Sequence, residues 1–241
     1  MLKYSLLSPL KPTWRRYLRI FWRNSRISIF RSMEYEALSR QEYRGRVLDF
    51  GGGRRAQYHD QLQSWLVDGT YESANIDPAM EPTYLVTPDG RLPVESGTFD
   101  MVVSINTLEH VYGIEQALDE LVRVVKPGGR LMLAVPFLYR VHGCPDDFNR
   151  PTASWWRETL SRKGIVELEV SPLVWDGLTS GVAVVDGIAP FSRLRRLVVP
   201  LLGIVYARFK GGGNGERYPD NVGESLSYLA LGYVLTAVTG R

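Results

Sequence analysis

Two acids and a glycine turn give this chain its first chemistry. Arg46-Val-Leu-Asp-Phe-Gly-Gly-Gly53 reads as a strand that carries Asp49 near its end and runs at once into the turn. Gly51 and Gly53 have no Cβ, so a bound group can approach the backbone closely. Asp49 sets a negative charge beside that approach. Asp77, followed by Pro78, ends a second run, Glu72-Ser-Ala-Asn-Ile-Asp77, where a carboxylate can take two ribose hydroxyls. Together they describe a pocket for a cationic, ribose-bearing group without phosphates. Further along stand Asp89-Gly90, then Asn106, Glu109 and His110. The segment 139–150 gathers Tyr139, Arg140, His142, Asp146, Asp147 and Arg150. His142 is the candidate base, because an imidazole titrates near neutrality. His110, Tyr139, Asp147 and Arg150 are candidate substrate contacts, or else they lock the loop by hydrogen bonds.

These residues converge only if strands and helices alternate. The pattern predicts strands at 46–50, 72–77, 83–86, 99–104 and 130–135, with helices at 56–67 and 114–125. Such alternation implies a mainly parallel sheet with right-handed crossovers, and ligands then sit beyond the carboxyl ends of the strands. A helix at 153–162, a strand at 165–171, a helical excursion near 190–209 and a last strand at 228–238 follow. The expected divisions are a basic aromatic arm, 1–44, helical in two pieces, and one domain, 45–241. Within that domain, 136–152 is the substrate loop and 172–227 the helical excursion.

Gly51-x-Gly53-x-x-Ala56 with Asp77 also fits a dinucleotide fingerprint, so an NAD(P)-dependent oxidoreductase stands as an alternative. There the turn faces a pyrophosphate, beside which Asp49 is unfavourable and Arg54 and Arg55 are favourable. Taken in order, the motifs resemble the class I S-adenosylmethionine-dependent methyltransferases of the small-molecule type over residues 45–170. The quoted stretches are Val47-Leu-Asp-Phe-Gly-Gly-Gly53, Asn75-Ile-Asp77, Asp89 to Ser104, Asn106-Thr-Leu-Glu-His110 and Arg123 to Leu133. The resemblance implies a Rossmann-like, doubly wound, mostly parallel seven-stranded sheet with an antiparallel closing strand, in three α/β/α layers. It implies S-adenosylmethionine as cofactor, held by Asp49, Gly51, Gly53, Asp77, Pro78, Asp89, Gly90 and Asn106. It implies methyl transfer to a small-molecule or glycan-type acceptor. Arg54 and Arg55 depart from the family, which has small residues there. The loop around His142 resembles a His-Gly-x-Pro-x-Asp-Phe-x-Arg pattern of bacterial methyltransferase-like proteins linked to surface-polysaccharide synthesis. A relative that binds the donor without turnover is a third reading.

The chain has 241 residues, enough for one domain with a full core. A single cysteine, Cys144, excludes an intrachain disulfide and fits a reducing, cytoplasmic compartment. Three histidines without paired cysteines show no metal-site spacing, and no metal is expected. No apolar run is long enough to cross a bilayer. The first 31 residues carry eight Lys/Arg and no acid, which leaves the remainder net acidic. Trp14, Tyr17, Leu18, Phe21 and Trp22 recur at helical spacing among these cations. The arm is therefore read either as a lid on the domain or as a peripheral contact with an anionic membrane surface. A nucleic-acid partner is not expected, because the Asn/Asp-Pro-Pro-aromatic motif used on flipped bases is absent.

Overall fold

Strands that are apolar on both faces must be covered on both faces, and this requirement organises the chain. In the computed structural model, which describes residues 2–23, 27–87, 91–143, 146–185, 191–211 and 215–240, eight strands form one sheet. They are β1 Lys3–Leu6, β2 Tyr43–Phe50, β3 Leu66–Asn75, β4 Tyr84–Leu85, β5 Phe99–Ile105, β6 Val125–Pro136, β7 Ile165–Pro172 and β8 Gly232–Thr239. Their order is β1-β7-β8-β6-β5-β2-β3-β4. Strand β8 runs antiparallel to both β6 and β7, and every other pairing is parallel. The α/β fold is thus as expected, with eight strands in place of seven. The additional strand is β1, which lies in the segment read as part of a helical arm. A four-residue strand carries almost no pattern of its own; it forms by completing the edge of β7.

Alternate strand residues feed two cores. Val47, Met101, Val103, Met132, Ala134 and Val234 face one side, and Leu48, Val102, Leu131, Leu133, Val135 and Leu235 the other. Helices α4 (Ile114–Val124) and α5 (Ala153–Ser161) cover the second side through Leu118, Leu121, Trp156 and Leu160. Three amino-terminal and middle helices cover the first: α2 (Ile29–Leu38), α3 (His59–Trp65) and α6 (Gly177–Val184). Helix α1, Trp14–Tyr17, widens into a π-helical stretch, Leu18–Arg23, and packs there too. Tyr17, Ile20, Phe21, Ile29, Phe30 and Met33 are all core residues, so the arm forms part of a core layer. Helices α7 (Ser192–Lys210) and α8 (Asp220–Ser227) complete the chain.

The aromatic stripe of the arm is split by this packing. Tyr17 and Phe21 turn inward, whereas Trp14, Leu18 and Trp22 remain exposed. Arg16 is buried as well: its guanidinium pairs with Glu36 at 2.7 Å and donates to the carbonyls of Leu10 and Lys11. Among the described residues no helix is long and apolar enough to cross a membrane.

Candidate active site

Every described residue singled out for chemistry lies at or near the carboxyl edge of the sheet. Asp49 comes from the end of β2, but it sits differently from the expected ligand-facing position. It is fully buried, with Oδ1 accepting from the Tyr58 hydroxyl at 3.1 Å and Oδ2 from the Tyr71 hydroxyl at 2.8 Å. A Cβ added to Gly52 would fall 1.8 Å from Asp49 Oδ2, so the carboxylate lies directly beneath the glycine turn. Burial raises its pKa to about 7, against the pull of the two tyrosine hydrogen bonds. Asp49 therefore supports the turn and sets its field from below.

The glycines are required by the protein's own packing. Gly51 has φ +91, and a Cβ there would meet Thr107 Oγ1 at 2.0 Å. At Gly53 a Cβ would meet the Met80 carbonyl at 2.1 Å. Asn75 donates to the carbonyls of Gly51 and Gly52 at 2.7 and 3.1 Å, which ties the turn to β3. Asp77 lies two residues beyond β3, exposed, at the start of the short helical turn Pro78–Met80. Its Oδ1 accepts from the Ala79 amide at 2.9 Å. Asp89 and Gly90 lie outside the described residues.

Beyond β5, Asn106 adopts a left-handed conformation with φ 49. Its amide donates to Glu34 Oε1 at 2.6 Å. Glu34 is completely buried, and Arg31 pairs with it at 3.1 Å. Both come from α2, and neither was anticipated. The signal was present: an acid inside Ile-Phe-Arg-Ser-Met-Glu-Tyr-Glu-Ala-Leu, a run most of whose members are buried. An acid at such a position is buried and needs a partner.

The loop after β6 folds onto the turn after β5. The amides of Phe148 and Asn149 donate to the Glu109 carbonyl at 2.8 and 3.2 Å, and Asn149 Nδ2 donates to the Val111 carbonyl at 2.6 Å. This brings His142 against His110, with ring centroids 5.2 Å apart, and against Tyr139 at 5.8 Å. Asp147 accepts from the His142 amide at 3.0 Å and from the Arg150 fork. Burial opposes its charge, but these donors hold Asp147 below the usual carboxylate range. Burial lowers the His142 pKa, against the opposing pull of Asp147. Glu109 has both carboxylate oxygens buried without a hydrogen-bond partner, and burial lifts its pKa to about 8. The structure thus joins His110, Tyr139, His142, Asp147 and Arg150, as expected of a loop held by a rigid sheet. Two surface concavities lie elsewhere, one beside Leu10 and Arg217, the other at the amino ends of the strands near Asp100 and Gly129. Neither is lined by any residue singled out for chemistry.

The family model for methyltransferase domains matches residues 48–133, from the glycine-turn strand through β6. Over that segment the chain is similar to methyltransferase domains. Over 88 residues it is 34% identical to the ubiquinone/menaquinone biosynthesis C-methyltransferase UbiE of Cereibacter sphaeroides, covering 36% of this chain and 35% of that protein. The match therefore spans about a third of the curated relative. Among solved structures, a chain from the complex between the Haloferax volcanii Trm112 methyltransferase activator and a methyltransferase superposes with a TM-score of 0.54 at 19% identity. That superposition covers 87% of this chain and 89% of the other. Haemonchus contortus phosphoethanolamine N-methyltransferase 2, in complex with phosphomonomethylethanolamine and S-adenosylhomocysteine, gives 0.52 at 11% identity, covering 94% and 57%. These two likenesses establish the fold of the methyltransferase domain.

Proposed function

We propose that the domain binds S-adenosylmethionine along the carboxyl edge of β3, β2 and β5 and methylates a small-molecule or glycan-type acceptor beneath loop 139–150. One observation carries the reading: the segment matched to the methyltransferase family ends its strands on a turn with a buried acid beneath it. A cation bound above the turn would draw Asp49 into its charged form, whereas a pyrophosphate would keep it protonated, so the acid favours an ammonium and sulfonium ligand. Arg55, which favoured phosphate in the dinucleotide alternative, spends its charge on Glu81 at 2.6 Å. The residues fit the donor: exposed Asp77 is open to the ribose, and the Arg31–Glu34 pair, to which Asn106 donates through Glu34, is the charged group on the side assigned to the amino-acid end. When bound, the donor supplies an electrophilic methyl group. The chain's part is to hold the acceptor atom in line with it and exclude water, which is where most of the rate arises. Mass spectrometry of the purified protein tests the reading by finding co-bound S-adenosylmethionine or S-adenosylhomocysteine. A bound nicotinamide dinucleotide would overturn it.

The acceptor reading extends to where the acceptor is met. Trp14, Leu18 and Trp22 point outward on one helix; Leu194, Val198, Leu202 and Phe209 do so on α7, which touches it through the Tyr17 hydroxyl and the Leu197 carbonyl at 2.7 Å. Arg15, Arg193, Arg208 and Lys210 are exposed beside them, and neither helix carries an acid. An apolar band edged by cations is complementary to an anionic lipid surface. The domain on this reading works peripherally at a membrane, on acceptors of the kind used in surface-polysaccharide synthesis. Cosedimentation with anionic vesicles, lost at high salt and in a Trp14→Ala/Trp22→Ala protein, is the expected result. Equal binding to neutral vesicles, or none at low salt, would refute it.

A further inference from the structure

Glu109, His110 and His142 lie far apart in sequence, which is why histidine spacing alone pointed to no metal. Folding brings one ligand atom from each within 4.8 Å of the others. The details favour ligation over packing. His110 Nδ1 faces the Asp146 carbonyl, so that nitrogen carries the proton and Nε2 is left as a bare lone pair. His142 Nδ1 lies 3.3 Å from both the Arg140 carbonyl and Asp147 Oδ2, which again leaves Nε2 bare. Orientation of one ring nitrogen by a carbonyl or carboxylate is how metal-bound histidines are held. The third donor is Glu109, 1% exposed, with neither oxygen hydrogen-bonded and Oε1 3.7 Å from His110 Nε2. A buried carboxyl with no hydrogen-bond partner beside two imidazoles either keeps its proton or gives it up to a bound cation, and the two imidazole nitrogens within reach make the cation the fuller solution.

We propose that these three side chains bind a first-row divalent metal, with Glu109 Oε, His110 Nε2 and His142 Nε2 as ligands and the remaining positions open to the acceptor. Two imidazoles and one carboxylate suit Zn²⁺, Fe²⁺, Mn²⁺ or Co²⁺ better than Ca²⁺ or Mg²⁺. Ligand atoms about 2.1 Å from a common ion lie roughly 3–3.5 Å apart, so the cluster contracts by about 1 Å on binding. Glu109 and His110 follow Asn106 on the same turn after β5, which puts the site at the acceptor end of the proposed donor cleft. An acceptor hydroxyl bound to the metal loses its proton to solvent more readily. Its oxygen lone pair then forms the bond to the methyl carbon, while the carbon–sulfur pair returns to sulfur as a thioether. His142 acts here as ligand and not as base, since both roles need the same Nε2.

This inference rests on the methyltransferase reading for its chemistry and not for its test. Chelator-treated full-length protein is titrated with Co²⁺ and followed by visible absorption and by metal analysis after gel filtration. The expected result is one equivalent per chain, with affinity about tenfold or more weaker in His110→Ala, His142→Ala and Glu109→Gln. His59→Ala, at the third histidine, which meets Tyr71 edge-to-face, is expected to match the parent. Circular dichroism melting confirms that each variant is folded; Glu109→Gln, which keeps shape and removes charge, carries the test if an alanine variant is not. Absence of saturable binding, or equal binding in the His110→Ala/His142→Ala protein, overturns the metal site. S-adenosylhomocysteine affinity measured in EDTA is expected to be unchanged by either histidine variant, so loss of the metal site leaves the donor site independently measurable.

Discussion

Replacing Asp49 by Asn should make the protein's stability less sensitive to pH. Asp49 is wholly buried, held by Tyr58 and Tyr71, and its pKa rises from 3.8 to about 7 because burial disfavours the charged form. Between those values the folded state holds a proton that the unfolded chain has released. Stability therefore falls as pH rises through that window, and the loss is complete above about pH 7. At about 1.4 kcal/mol per pH unit, the span from pH 4.5 to 7.5 costs the parent roughly 3 kcal/mol. Asn is nearly isosteric, carries no charge, and can exchange hydrogen bonds with both tyrosines. The gap between variant and parent should therefore widen in favour of the variant by roughly 3 kcal/mol across that range. For a chain of this size the change corresponds to roughly 6–12 °C in melting temperature. Glu109 titrates in both proteins and cancels in the comparison. Calorimetry at four pH values in that range measures the gap. A gap that stays constant with pH would refute the placement of Asp49 as a buried, compensable acid.

Gly51→Ala combines a left-handed backbone with a clash against Thr107 at 2.0 Å, whereas Gly164→Ala meets φ +77 with no atom within 4 Å. Urea denaturation should show a loss of roughly 1–2 kcal/mol for Gly164→Ala and roughly 2–5 for Gly51→Ala; equal losses would remove the packing argument. Glu36→Ala leaves Arg16 buried against two carbonyls without its counter-ion and should cost about 3–5 kcal/mol in the same assay. A loss below about 1 kcal/mol would mean that the pair behaves as a surface bridge. Arg31→Gln should weaken S-adenosylhomocysteine binding while adenosine binding is unchanged if, as proposed, the amino-acid end of the ligand lies toward α2; titration calorimetry with both ligands decides it.

The parts legible in the sequence were those with a strong local signature. Strands β2, β5 and β6 announced themselves as apolar runs beside glycine or Asn-x-x-Glu-His turns, and their order implied the parallel sheet. Helices α4 and α5 followed from their periodicity. Strand β1 was missed because four residues acquire strand identity only from the edge of β7. Helix α8 falls inside the helical excursion 172–227 but was not delimited for a similar reason: Asp-Asn-Val-Gly-Glu-Ser-Leu-Ser contains little apolar pattern, and its Leu226 is buried beside Val174 and Tyr218. The sequence pointed to the glycine turn through ligand approach; that Thr107, Asp49 and Met80 also crowd its glycines needed the folded structure. Arg31 and Glu34 needed the third dimension, because nothing local tells which face of α2 meets Asn106. The same holds for Glu109, His110 and His142, which meet only once loop 139–150 folds back on the turn after β5.

The most direct test of the central claim is titration calorimetry of the full-length protein with S-adenosylmethionine, repeated with Asp77→Ala. Asp77 is exposed at the edge of the proposed cleft and is not part of the core, so the variant should remain folded. Saturable one-site binding is expected for the parent. Loss of charged ribose hydrogen bonds should weaken the variant by about 1.5–3 kcal/mol, or roughly tenfold to a hundredfold. No binding by the parent, or undiminished affinity in a folded Asp77→Ala protein, would contradict the account.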